Sequence, residues 1–359
     1  MASDERRRVD TAPIVVYGWA QASVSLYFDG LPEDLRRRLL FLSPGSRRRD
    51  LAVLATAALV VIVRDFERCA RGGVLTALGA LGVPFAWFVD DDLTALAREA
   101  PGMAYYTHAR VAAFARRACA IIVTSPSLGR SLGGLGTPVI LWPCVFDASL
   151  AAPPSPEDGV FRIGAFGGEF RRSAFGACVL PAIEALANVR PVVVFATESL
   201  AAASTRVPVI SAPFDLDFYR FVGTWRGFGL NVVVHPHGET SNIGAKSPAS
   251  LLVTRYLGAA AVVGDEPAFA DVPVDSGVLK MGRDPQSWLN ALHSLAAPGK
   301  SGQAFDRLDQ WARRVFDPQN ARSPFATLAA RGASRYDGAS VSATLRWVAR
   351  RRAARDEDG

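Results

Sequence analysis

The sequence predicts an α/β protein of two successive Rossmann-like halves, on three observations. The chain has 359 residues, a length that suits two domains of ordinary size. Short β-rich runs alternate with helical stretches, which is the pattern of parallel sheets joined by crossover helices. That pattern stops and restarts across one segment rich in Pro, Ser and Ala, residues 147–159. Such a segment reads as an inter-domain linker. The expected units are therefore residues 1–150, residues 151–330 and a basic tail, 331–359.

In the first half, strands are expected at 13–16, 38–42, 83–89, 120–124 and 138–141. Helices fit residues 73–81 and 103–117, and residues 51–63 read as a helix running into a strand. In the second half, strands are expected at 161–165, 191–196, 207–210, 230–235 and 260–264. Helices fit 174–187, 216–227 and 248–258. Residues 341–352 make a basic amphipathic helix. Two such halves expect a ligand at the carboxyl ends of their strands, in the cleft between them.

Composition agrees with a globular chain. Half of it is hydrophobic and 21% is charged, enough apolar mass for two cores. The apolar run 51–63 is too short to cross a bilayer, and 72–89 is broken by glycines and Pro84. No apolar leader region follows Met1 and the three arginines Arg6, Arg7 and Arg8, so a cytoplasmic protein is expected. Four cysteines lie far apart without CxxC spacing, which reads as free thiols in a reducing compartment.

The net charge is +6, and nearly all the positive charge is arginine. Arginines cluster at 6–8, 36–38, 47–49 and 350–352. The clusters are scattered and lack interleaved aromatics, so they read as solvated surface and no nucleic-acid partner is expected. A functional role for one of them would be peripheral contact with an anionic membrane.

The most informative stretch is 235–248, a loop after a strand that leads into a helix. Ser247 and Pro248 suit the N-cap and first helical positions. A helix N-terminus offers free N–H groups and a partial positive charge to a phosphate. Lys246, just before it, adds a full charge in a chain that uses arginine almost everywhere else, with Lys280 and Lys300 its two other lysines. The turn Phe166-Gly167-Gly168 is the second phosphate candidate, because glycines let the backbone approach an anion closely. Arg171 and Arg172 follow it and suit a diphosphate.

Asp90, Asp91 and Asp92 end an apolar strand of the first half. Near the cleft they suit sugar hydroxyls or a cation. They equally suit an acidic first helical turn. His235, His237 and Glu239 share one face of an extended strand, a zinc-like spacing with no further ligand pair. No GxGxxG follows the first strand, which disfavours a dinucleotide oxidoreductase.

As an ordered set, these stretches resemble the family-4-like glycosyltransferases of bacterial surface-polysaccharide assembly. The resembling segments are 162–168, Asn242 with Lys246-Ser247-Pro248, and 257–269, joined in the first half by 82–93, 122–128 and 141–147. The resemblance implies a GT-B fold, two Rossmann-like domains facing a central cleft. It implies a nucleotide-diphospho-sugar donor, a glycan or lipid-linked acceptor, retention of configuration, and no cofactor or obligatory metal. Gly167, Gly168, Arg171, Arg172, His235, Glu239, Asn242, Lys246 and Ser247 would then hold the donor. Asp90, Asp91 and Asp92 would serve the acceptor side and the chemistry. One departure stands out: the glutamate that in relatives holds the donor ribose falls on Val253. Glu239 is the nearest substitute in sequence. That gap keeps a second class open, a non-catalytic homologue that binds sugar nucleotides or a partner. A metal-dependent transferase using Asp90 and Asp92 is a third.

Overall fold

The computed structural model describes residues 13–19, 21–45, 47–64, 66–201 and 206–333. The helix expected at 341–352 and the clusters at 6–8 and 350–352 lie outside them.

Two parallel six-stranded sheets form the framework. The first contains β1 (Ile14–Tyr17), β2 (Leu39–Leu42), β3 (Leu59–Val63), β4 (Phe85–Val89), β5 (Ala120–Val123) and β6 (Val139–Leu141). Its order is β2-β1-β3-β4-β5-β6. The second contains β7 (Phe161–Ala165), β8 (Val192–Thr197), β9 (Val209–Ala212), β10 (Val232–His235), β11 (Ala260–Gly264) and β12 (Leu279–Met281). Its order is β9-β8-β7-β10-β11-β12, the doubly wound dinucleotide-binding order. Strand order reverses between β1 and β3 in one sheet and between β7 and β10 in the other. Ligand crevices open at such points.

Burial explains why the strands form where they do. All five residues of β3, β4 and β11 are buried, as central parallel strands covered on both faces require. Strand β9 begins two residues later than expected, after Pro208, which has no N–H to give to the ladder. The run 51–63 resolves into the helix Arg47–Leu54 and β3. The stretch expected as one helix at 174–187 carries a π-helical turn, Phe175–Val179, ahead of the regular helix Leu180–Ala187.

The two halves share one apolar cluster that runs from β1 and β3 through Trp142 and Phe146 to Tyr256 and Trp225. Tyr256 seals it: its ring lies 5.8 Å from Phe146, and its hydroxyl accepts from the Asp147 N–H at 2.7 Å. The helix Arg322–Ala333 packs against the first sheet, tied by Arg322 to Asp34 at 2.7 Å and by Phe325 beside Trp142. Of the arginine cluster 36–38, Arg37 pairs with Glu33 and Arg38 lies over the Phe325 ring. The four cysteines are free thiols. No described helix is long and apolar enough to cross a membrane.

Candidate functional site

The site is best built from β4 outward. Phe85–Val89 is wholly buried, so the first polar residues after it emerge at the cleft. Three consecutive aspartates follow, and the structure gives them three different surroundings. Asp92 is the N-cap of the helix Leu93–Glu99: its carboxylate accepts from the N–H groups of Thr94 and Ala95, each at 3.0 Å. That accounts for it as a helix cap. Asp91 is 3% exposed and accepts from Arg64, Lys246 and Asn242. Burial raises its pKa, but the Lys246 ammonium and Arg64 guanidinium outweigh burial and hold the carboxyl below its ordinary value. Only Asp90 lines the cleft. It accepts from the Ser23 hydroxyl at 2.7 Å and pairs with Arg64 Nε at 3.1 Å.

Arg64 was not singled out by the sequence, and it organises this cluster. It is the one described non-glycine residue with positive φ, +51°. A bulky side chain in that region costs about 1–3 kcal/mol. Its position at the carboxyl end of β3 lets one guanidinium hold Asp90 and Asp91 together.

The second half supplies the opposite wall. After β7 the chain turns at Gly167, whose φ of +155° suits glycine and where a Cβ would meet Arg171 Cδ at 2.9 Å. The turn therefore sets Arg171 into the cleft. Its guanidinium meets Glu266 at 3.2 Å and 3.3 Å and donates to the Pro236 carbonyl. Glu266 is buried and also receives the Gly238 N–H. Arg172, by contrast, is exposed and is not part of the cleft lining.

The loop after β10 crosses to the first half. The Asn242 side chain is buried, accepting from the Asp92 N–H at 2.7 Å and donating to Asp91 at 2.6 Å. Ser125 donates to the Ala245 carbonyl at 2.6 Å. Lys246 lines the cleft, with its ammonium on Asp91. Ser247 does not cap the helix. The helix is Ala249–Tyr256 with Pro248 at its N-cap position and no side-chain cap. The Ser247 hydroxyl instead meets Tyr27 of the first half at 2.8 Å. Asn242 is thus a strut between the halves, and Ser247 a contact across the cleft.

His235 and Glu239 fall away from the cleft. His235 is 2% exposed, with Nε2 2.8 Å from Thr254 Oγ1. That hydroxyl donates to the Ser250 carbonyl at 3.0 Å, so the His235 Nε2 carries the proton. Burial, with Arg171 nearby, lowers its pKa to about 3, so the ring is neutral. Glu239 is exposed and outside the cleft lining. Val253 is 7% exposed and belongs to the core, and neither it nor Glu239 lines the cleft. Among the described residues no group of three His, Cys, Asp or Glu could hold a metal ion.

The cavity that results holds about 200 Å³. Asp90, Ser23 and Tyr27 face it from the first half, and Arg171, Lys246 and Phe170 from the second. Two parallel doubly wound sheets face this cavity with the carboxyl ends of their strands, and solved GT-B structures match the arrangement. The chain has the GT-B fold. HepE from Anabaena, solved with UDP and glucose, shares this GT-B arrangement at a TM-score of 0.56. The likeness covers 88% of this chain and 98% of that one, at 14% identity. An α-glucosyltransferase solved with UDP and a 13-mer DNA reaches 0.60 over 88% and 98%, at 8% identity. A Listeria monocytogenes protein described as a UDP-N-acetylglucosamine 2-epimerase reaches 0.53 over 91% and 98%, at 12% identity. No protein-family pattern matches the sequence, and no curated protein does. At such identities the shared GT-B architecture is what these likenesses establish.

Proposed function

We propose that the protein is a glycosyltransferase that moves a sugar from a nucleotide-diphospho-sugar to a glycan or lipid-linked acceptor. The reading includes retention of configuration and no obligatory metal. The observation that carries it is the meeting of Arg171 and Lys246 in one inter-domain cavity, opposite Asp90.

The proposed chemistry follows from charge. When the glycosidic bond to the diphosphate breaks, negative charge develops on the leaving oxygen. Cations already fixed there stabilise the transition state more than the ground state. Arg171 suits bidentate contact with phosphate oxygens. Lys246 adds a point charge, and the first N–H groups of the helix Ala249–Tyr256 add a partial one. Gly167 and Gly168 do not line the cavity; their missing side chains make room for Arg171 and Phe170, which do. Both cations now rest on carboxylates, Glu266 and Asp91, so a bound diphosphate exchanges one anion for another. Asp90, fixed by Ser23 and Arg64, is the group assigned to an acceptor hydroxyl.

Val253 favours a second reading, a non-catalytic homologue that binds a sugar nucleotide or a partner. Counted from Lys246 and Ser247, the glutamate that holds the ribose in the resembling family falls on this valine. The fold itself also serves a protein described as an epimerase, so the fold alone does not select transfer.

A thermal-shift screen against UDP, GDP, dTDP, ADP and CMP tests the donor site, on the native chain and on Lys246→Ala. Each shift is read against that variant's own midpoint, because Lys246 also pairs with Asp91. A ligand at 100 times its dissociation constant stabilises by about 2.7 kcal/mol. A shift with one diphosphate, lost in the variant, supports the site. No shift with any of them removes it. A nucleotide that binds, with neither transfer nor donor hydrolysis from its sugar conjugates, selects the second reading.

A further inference from the structure

A second cavity, of about 220 Å³, opens on the other side of the segment 22–29. Ser23 and Tyr27 of that segment face the cleft, while Ser25 and Asp29 face this groove. The segment includes the π-helical turn Ser25–Asp29, a local widening that recurs at functional sites.

Three large aromatic side chains in the groove are exposed: Trp19 at 44%, Phe41 at 39% and Tyr219 at 42%. The Arg68 guanidinium, 4.8 Å over the Trp19 ring, holds that ring in place. Asp29 and Asp217 bring carboxylates to the groove, and no Lys or Arg is among its described lining residues. Arg220 pairs with Asp217, so Asp29 is the carboxylate that the groove keeps for a ligand. The Tyr219 hydroxyl lies 3.1 Å from both Asp29 and Asp147. One O–H has one proton, so one of these carboxylates keeps an open acceptor. Ser25 brings a hydroxyl-bearing side chain to the groove lining.

We infer that this groove is a saccharide subsite, which holds the part of a neutral or amino-bearing oligosaccharide acceptor that lies beyond the reacting sugar. The inference rests on the transferase reading, because it makes the acceptor a saccharide. Sugar rings present hydroxyls on their rims and C–H groups on their faces. The hydroxyls match the carboxylates through charge-assisted hydrogen bonds, and the C–H faces match the negative faces of the aromatic rings. Asp29 comes from the first half and Tyr219 from the second, so both halves build the groove.

The test is a glycan array of neutral, amino-bearing and acidic oligosaccharides, probed with the full chain and with Trp19→Ala, Asp29→Asn and Trp19→Phe. The nucleotide thermal shift is measured on the same samples. The expected result is binding to neutral or amino-bearing glycans. Trp19→Ala and Asp29→Asn should each lower it by about 10-fold, the loss of one good contact. Trp19→Phe should retain most of it, with the nucleotide shift unchanged throughout. A preference for acidic glycans overturns the inference. So does binding indifferent to Trp19 and Asp29, or a blank array from protein that still responds to nucleotide. If the array result stands while no nucleotide binds, the donor reading fails and the groove survives it.

Discussion

Lys246 of the second half forms an ion pair with Asp91 of the first half. Asp91 is buried and also meets Arg64 and Asn242, so this carboxylate is the junction between the halves. A buried carboxylate with three donors is costly to disturb, because removing one charge leaves the others uncompensated. Asp91→Asn is expected to destabilise the chain by about 2–4 kcal/mol, read as a lower denaturant midpoint. Lys246→Met, one-third exposed at the side chain, should cost less. The double variant should show a coupling of about 1–2 kcal/mol between the two. Additive effects would mean that the pair does not join the halves in solution.

Arg171 and Arg172 are neighbours in sequence with different fates. Arg171 lines the cleft on a buried glutamate, while Arg172 is exposed. Arg171→Ala should weaken nucleoside diphosphate binding by about 10-fold or more, the worth of one charged contact. Arg172→Ala should leave it within about two-fold, since exposed charges contribute little. Isothermal titration with the diphosphate found by the thermal-shift screen measures both. Equal losses would sink the assignment of Arg171 to the donor.

The framework was legible in the sequence because buried parallel strands are continuous apolar runs. Residues 260–264 were expected as a strand, and β11 has those bounds. The short strand Leu279–Met281 carries only three half-buried residues and left no comparable signal. The helix Pro285–Ala296 was not among the expected elements, although Asp284 caps it and Pro285 opens it. The cleft was legible in Lys246, Arg171 and Asp90, because glycine turns and strand ends mark such places. It was not legible in Arg64 or Glu266. Their importance lies in what they touch across the fold, and pairing of that kind has no local pattern. Ser247 misled for a related reason: its helix-start signal was real, but Tyr27 offered its hydroxyl a partner across the cleft.

Asp90 and Asp92 separate chemistry from stability. Asp92→Ala removes a helix cap with two N–H partners and should cost about 1 kcal/mol, with nucleotide affinity unchanged. Asp90→Asn keeps the shape of a residue that caps nothing. Under the transferase reading it should lower turnover by about 100-fold or more while nucleotide affinity holds. Chemical denaturation and a donor-consumption assay distinguish them. An Asp90→Asn variant with full turnover would remove Asp90 from the acceptor side.

His235 supplies a pH dependence of known sign. Its ordinary pKa of about 6.5 applies in the unfolded chain, whereas burial holds it at about 3 in the folded one. Between those values the unfolded chain binds a proton that the folded chain refuses, so stability falls as pH is lowered from about 6.5 toward 3. Above pH 7 this contribution is flat. The slope from one such group approaches about 1.4 kcal/mol per pH unit. Asp91 behaves differently: its folded pKa is depressed below the carboxylate range, so its loss begins only as pH falls through about 4. Unfolding midpoints measured from pH 7 to pH 4.5 therefore report the two buried histidines, His235 and His237, since burial lowers the pKa of both. In His235→Gln, which keeps an N–H for Thr254, the midpoint should fall less steeply across that interval than in the native chain, with His237 supplying the remaining slope. A native chain flat from pH 7 to 4.5 would mean that His235 is open to protonation and is not the neutral, buried ring seen beneath the cleft.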